Sequence, residues 1–153
     1  MFIKINNNSV EFVKVKLVND FTLTSDKKLT NPKEVMSLIT NELGKYDREI
    51  FAVVNLTSKC QVINVNICHV GYLQSSFAHP REIIKASILS NANSVIFIHN
   101  HPSGDTIPSN QDIEVTEKLI NVYDIHAIKV LDHVICSYDE NNYYSMKEQG
   151  MLF

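Results

Sequence analysis

The stretch 94-SVIFIHNHPSGDTIPSNQD-112 decides how this chain is read, because it runs from a strand through a turn into a helix and sets polar groups at each junction. Ser94 to Ile98 reads as an interior strand covered on both faces, and Pro102 and Gly104 then punctuate a loop. His99 and His101 stand two residues apart where the strand ends. Side chains at i and i+2 of an extended chain leave the same face, so the two imidazoles point together while Asn100 points away. Ten residues separate His101 from Asp112. That is enough for a turn at Pro102-Ser103-Gly104-Asp105 and a return into a helix whose first turn brings Asp112 to the same spot.

Around this stretch, residues 9–18 (SVEFVKVKLV) alternate as a strand, and NPKE at 31–34 offers Asn31 as N-cap, Pro32 at the first helical position and Glu34 in a capping box. A helix to about Lys45 follows. IFAVVNL (50–56) and QVINVNICHV (61–70) are β-branched runs joined through Thr57-Ser58-Lys59-Cys60, a hairpin that ends at Gly71. Pro80 opens a second helix with one apolar stripe formed by Ile83, Ile84, Ile88 and Leu89. A third helix is expected over about 110–122, then two strands near 127–131 and 133–138, and an edge strand and tail in YYSMKEQGMLF. Strands and helices alternating in this way imply an α/β sheet flanked by helices.

The chain of 153 residues fits one domain with a single core. No apolar stretch approaches the roughly 20 residues of a membrane span, and residues 1–8 lack the pattern of a secretory signal, so the expected location is the cytoplasm. Cys60, Cys68 and Cys136 form no C-x-x-C pair, which suits a reducing compartment and reads as buried thiols. A formal charge of −3 and only two arginines, Arg48 and Arg81, offer no concentrated patch for phosphates. Nucleic-acid binding therefore gets no support from charge.

Two imidazoles and a carboxylate suit zinc, which takes three protein ligands in catalytic sites, whereas structural sites are closed by four, mostly cysteines. The lack of cysteines near the cluster favours an open site with one zinc per chain. Zinc-bound water ionises near pH 7, so what remains is a group to move the proton. Glu49 at the head of IFAVVNL is the candidate general base, with Glu42, Asp47 and Glu82 as rivals that local reasoning leaves open. Ser109 could donate to an oxyanion. Each feature also has a plainer reading: the histidines as polar residues of a turn, and Ser109-x-x-Asp112 as a capping box with the acid favoured by the helix dipole. His69, His79, His126 and His133 are scattered and unpaired, and read as exposed or hydrogen-bonded, with His79 a wall of the cleft.

His99-x-His101, ten residues, then Asp112 with Ser109 three before it, resembles the JAMM motif of zinc isopeptidases. The wider text, AHPREIIKASILSNANSVIFIHNHPSGDTIPSNQDIEVTEKL followed by LDHVI, resembles the RadC family of bacterial proteins from about Leu29 onward, which implies one globular RadC-like unit over residues 29–153 after an N-terminal strand and connection over residues 1–28. The resemblance implies a cytidine-deaminase-like α/β/α sandwich of the JAB/MPN type, with a mixed sheet between helices. It also implies zinc ligands at His99, His101 and Asp112, a water-activating acid at Glu49 in DREIF, and a water-positioning or oxyanion hydroxyl at Ser109. Full-length RadC proteins carry an N-terminal helix-hairpin-helix region, and residues 1–28 are too short and strand-like to match one.

The expected function is a zinc-dependent hydrolase of amide bonds, a metallopeptidase or isopeptidase acting on a protein or peptide. The alternative is a non-catalytic metal-binding interaction module in a DNA-repair-associated context. A zinc deaminase would need H-x-E followed by P-C-x-x-C, and neither occurs.

Overall fold

A computed structural model of the chain describes residues 2–6, 9–14, 16–19, 32–71, 79–139 and 141–152, with the backbone alone described for 2–6, 9–13 and 32–35. The elements run β1 (Phe2–Asn6), β2 (Ser9–Val13), α1 (Pro32–Leu43), β3 (Ile50–Leu56), β4 (Val62–Val70), α2 (Pro80–Leu89), β5 (Ser94–Asn100), α3 (Asn110–Ile125), β6 (Lys129–Cys136) and β7 (Tyr143–Ser145). The five main strands form one mixed sheet in the order β4-β3-β5-β6-β7, in which β5 and β6 are parallel and the other neighbours antiparallel.

The alternation of β3 and β5 divides the core. Phe51, Val53, Val95 and Phe97 share one face with Ile83 and Ile84 of α2 and Leu119 and Tyr123 of α3. Ala52, Val54 and Ile98 share the opposite face with Ile39 and Leu43 of α1. Helices thus cover both faces, and the expected α/β sandwich is what the chain forms. Every residue of β3 is buried, as suits a strand paired on both edges and covered on both sides.

Several expectations are corrected. The strand read over 9–18 is shorter, because among the described residues β2 pairs with β1 alone and the last register partner, Phe2, stands opposite Val13. Asn31 and the side chain of Glu34 lie outside the described residues, although α1 does start at Pro32. In α2 the buried positions are Ile83, Ile84, Ala86 and Ser87, whereas Ile88 and Leu89 are exposed. The helix turns its buried face toward the hydroxyl of Tyr123, which meets Ser87 Oγ at 3.0 Å, and the apolar stripe is split.

The two strands read near 127–131 and 133–138 are one strand, β6, interrupted by a bulge. Val130 stands opposite Val95 but Asp132 opposite Ile96, which makes Leu131 the extra residue. Asp132, between the two expected strands, accepts through its carboxylate from Ser145 Oγ at 2.6 Å and from the N–H of Lys147 at 3.0 Å. The edge strand expected in the last segment is β7, but the tail beyond it is packed: Met146 and Leu152 are buried with Ile135. Of the cysteines, Cys136 is buried and Cys68 half-buried, while Cys60 is exposed at the hairpin tip, with φ of 57°.

Candidate metal centre

The alternation that places Val95 and Phe97 toward α2 and α3 carries on to His99, which is fully buried with its ring stacked on Phe51 at 6.3 Å between centroids. His101 lies just past the end of β5, where its N–H donates to the carbonyl of Cys136 at 2.8 Å and so continues the sheet pairing. The two Nε2 atoms stand 2.8 Å apart, as the i, i+2 spacing predicts. Beyond His101 the chain reverses. Gly104 takes φ of +86°, its N–H reaches the carbonyl of His101 at 3.0 Å, and a Cβ there would stand 2.9 Å from Cε1 of Tyr138. The turn delivers the carbonyl of Asp105 to within 2.6 Å of Nδ1 of His101.

The chain then enters α3 through a complete capping box. Ser109 Oγ accepts from the N–H of Asp112 at 3.2 Å, and Asp112 Oδ2 accepts from the N–H of Ser109 at 2.7 Å. Ser109 Oγ also lies 2.6 Å from Asp112 Oδ2, and its hydrogen goes to that carboxylate. The plainer reading of Ser-x-x-Asp is therefore realised, and it also aims Asp112. Oδ1 stands 3.4 Å from His99 Nε2, and Oδ2 stands 3.6 Å from His101 Nε2.

The donor set fits a metal ion. His99, His101 and Asp112 each offer one ligand atom, all within 4.8 Å of one another. Zinc bonds of roughly 2.0–2.2 Å in a tetrahedral site put ligand atoms roughly 3.3 to 3.6 Å apart, so the imidazole pair needs to open by about half an ångström, and the carboxylate, which faces the two rings through different oxygens, needs to turn one of them to the ion. The chemistry agrees with the spacing. The carbonyl of Asp105 can only accept, which assigns a proton to Nδ1 of His101 and leaves its Nε2 as a lone pair when the ring is neutral. A lone pair this close to a second imidazole nitrogen and a carboxylate calls for a cation between them.

Proton affinities show the same demand. Burial works against a charged His101, but its hydrogen bond to Asp112, the Asp105 carbonyl and the charges of Asp112 and Glu49 outweigh it, and the pKa is raised. Burial opposes ionisation of Asp112 as well, yet His101, His99 and the two bonds from Ser109 hold its carboxyl well below the usual range. Full burial, with the neighbouring His133, keeps His99 neutral.

Of the four acids left open by the sequence, Glu49 is the one whose charge acts on His101. Glu42 pairs with Lys45 at 2.8 Å, Asp47 with Arg48 at 2.8 Å and Glu82 with Lys85 at 2.5 Å. Asn100, which points away from the histidines as expected, holds the main chain beside Glu49: its Oδ1 accepts from the N–H of Ile50 and its Nδ2 donates to the carbonyl of Arg48. The carbonyl of Glu49 accepts from Gly71 at 2.8 Å.

The remaining histidines divide. His79 caps α2, accepting from the N–H of Arg81 at 3.3 Å, and His126 closes α3, donating to the carbonyl of Val122 at 2.8 Å. His133 is not unpaired: it is buried, with Nε2 2.8 Å from Nδ1 of His99 and Nδ1 2.6 Å from Oγ1 of Thr116. Sequence reasoning missed His133, Thr116 and the grip of Asn100. Thr116 carried one signal, since it follows Asp112 by four residues and so shares its helix face. A groove of about 400 Å³ between α2 and α3, lined by Arg81, Ile84, Lys85, Ile88, Val122 and His126, includes none of the cluster residues. Among the described residues no helix is long and apolar enough to cross a membrane.

A family model described as a RadC-like JAB domain matches residues 29–151. A UPF0758 protein of Desulfitobacterium hafniense is 44% identical over 124 residues, covering 81% of this chain and 54% of the relative. A UPF0758 protein of Caldanaerobacter subterraneus is 43% identical over 122 residues, covering 80% and 52%. One from Methanosarcina mazei is 34% identical over 141 residues, covering 92% and 61%. The chain thus spans about half the length of the first two of these curated relatives and somewhat more of the third.

Proposed function

The chain belongs to the RadC-like JAB domain family, and from that premise we propose that it is a zinc-dependent hydrolase of amide bonds, a metallopeptidase or isopeptidase acting on a protein or peptide. The observation that carries this reading is the convergence of two imidazole nitrogens and one carboxylate, supplied by two separate segments, with no fourth protein ligand in the cluster among the described residues. Three protein ligands are the number that catalytic zinc sites use. When bound, zinc lowers the pKa of water toward neutrality and polarises a carbonyl oxygen.

In this reading His99, His101 and Asp112 hold the ion. Glu49 takes the proton of the attacking water as its oxygen bonds to the carbonyl carbon, then delivers that proton to the amine nitrogen as the carbon–nitrogen bond breaks. Ser109 Oγ donates to the carbonyl oxygen as it gains negative charge, for which its hydrogen must turn away from Asp112. The formal charge of −3 lends nucleic acid no support as a substrate.

The test uses the purified chain loaded with zinc and assayed on quenched peptides and on isopeptide-linked lysine substrates. One zinc per chain is expected, with hydrolysis lost in Glu49→Ala while the zinc stays. Hydrolysis that continues after chelation overturns the mechanism.

The commitment of the Ser109 hydroxyl to Asp112 favours a second reading, a metal-binding interaction module with no catalysis. Its sign is partner binding that survives Glu49→Ala, with no hydrolysis of any substrate by the wild type.

A further inference from the structure

Behind the metal ligands lies a buried chain of four groups whose hydrogen-bond directions can be worked out from one end. Thr116 Oγ1 is 2.5 Å from the main-chain carbonyl oxygen of Asp112, one turn earlier in α3. A carbonyl oxygen has no hydrogen to give, and two oxygens at that separation repel unless a hydrogen lies between them, so the threonine hydroxyl donates to Asp112. Oγ1 then has only lone pairs to offer Nδ1 of His133 at 2.6 Å, and that nitrogen must carry a hydrogen. The buried His133 ring faces a hydroxyl at one nitrogen and an imidazole at the other, with no carboxylate at either to balance a charge, so the ring carries one hydrogen only and its Nε2 is an acceptor. The atom facing it is Nδ1 of His99 at 2.8 Å, which must therefore be the donor. His99 is left with a bare Nε2, the atom aimed at His101 and Asp112.

We propose that His133 and Thr116 are positioning residues for the metal site: they fix the tautomer and ring plane of His99, so that its Nε2 lone pair is presented to the ion before any ion arrives. The chain of bonds begins on the main chain of one ligand, Asp112, and ends on the ring of another, His99. It ties α3 to β5 through β6 and sets the spacing of the two ligand-bearing segments. Metal-ligating histidines commonly donate their second ring nitrogen to a carboxylate or carbonyl. Here the acceptor is a second neutral imidazole, made directional by a threonine.

The bulge in β6 is what makes this possible. With Leu131 as an extra residue, His133 comes opposite Phe97 and shares the face of His99. Without it, Asp132 would take that place and His133 would turn to the face of α1. The ring is also held edge-on by Phe51 at 5.6 Å and Phe97 at 5.9 Å, which limits its freedom to flip.

The inference rests on the metal-site reading of the preceding section, but its test can be separated from it. Threonine 116 is replaced by valine, which keeps the shape and removes the hydroxyl, and by serine, which restores it. Nitrogen NMR of the metal-free wild type near neutral pH is expected to show His99 protonated at Nδ1 and His133 at Nδ1. Zinc affinity, measured against a competing chelator, is expected to fall about tenfold or more in Thr116→Val and to recover in Thr116→Ser. If the wild type binds no zinc, the metal reading fails and the positioning role falls with it, even where the tautomers are as stated. A His99 protonated at Nε2, or equal zinc affinity in wild type and Thr116→Val, overturns the relay and leaves the metal reading intact.

Discussion

Asn100 Oδ1 accepts the buried N–H of Ile50 at 2.6 Å, across the sheet from one strand to its neighbour. The same side chain donates to the carbonyl of Arg48 at 3.1 Å, so one amide holds the main chain on both sides of Glu49. The residue between the two metal-site histidines thus sets where the proposed base leaves the backbone. Asn100→Ala should cost about 1–3 kcal/mol in urea unfolding, because it leaves the N–H of Ile50 buried without a partner. Zinc content should be unchanged. Hydrolysis should drop about tenfold to a hundredfold through misplacement of Glu49. A variant that loses stability but keeps full turnover would separate Asn100 from the base.

Ser109 has two possible contributions that mutation can tell apart. As the N-cap of α3 it should cost about 1 kcal/mol when changed to alanine, and Ser109→Thr should retain most of that. As an oxyanion donor it should cost roughly a hundredfold or more in kcat, far beyond what a loosened helix end explains. Comparing kcat with the unfolding free energy in Ser109→Ala and Ser109→Thr decides between capping alone and capping with catalysis.

What the sequence made legible follows from local periodicity. The i, i+2 spacing of His99 and His101 needs only an extended chain, and Ser109-x-x-Asp112 needs only a helix start, so both could be read before any tertiary contact was known. The buried strands β3 and β5 were legible for the same reason, as β-branched runs between turn residues. His133 was not, because its position depends on an extra residue at Leu131 that flips the face of everything after it. The split stripe of α2 was hidden too: the buried face of that helix is set by a polar contact, Ser87 to Tyr123, which hydrophobicity does not register. Glu49 was set apart from Glu42, Asp47 and Glu82 by its charge acting on His101, a tertiary relationship that local sequence does not carry.

Metal-free protein should lose stability as pH falls from about 6.5 toward 4. His133 has its pKa pushed down to about 4, chiefly by burial, and His99 is lowered in the same direction. A histidine whose folded pKa lies below its unfolded value contributes its full stability above the unfolded value and loses it as pH falls through the folded one. For His133 the interval corresponds to about 3 kcal/mol between the two limits. His101 is shifted the other way and gains stability on acidification, but over this window two buried rings oppose one partly exposed ring. Urea unfolding at pH 7 and pH 4.5 should show the loss, and His133→Phe, which retains the ring packing with Phe51 and Phe97, should flatten the slope.

Zinc affinity should depend on pH through His101. The ring must give up its proton before Nε2 can bind a metal, and Asp112, the Asp105 carbonyl and Glu49 together raise its hold on that proton above the ordinary imidazole value. Below the folded pKa of His101 the apparent zinc association constant should therefore rise about tenfold per pH unit, with one proton released per ion, and above it the curve should level off. Asp112→Asn acts on both parts of this balance. It removes a charged ligand, so zinc binds more weakly at every pH, and it removes the largest support for the charged ring, so the levelling point moves to lower pH. Chelator competition between pH 5.5 and 8.5, run with proton release measured in two buffers of different ionisation enthalpy, checks both movements. An affinity that does not change with pH across this range would mean that His101 is not a ligand of the bound ion.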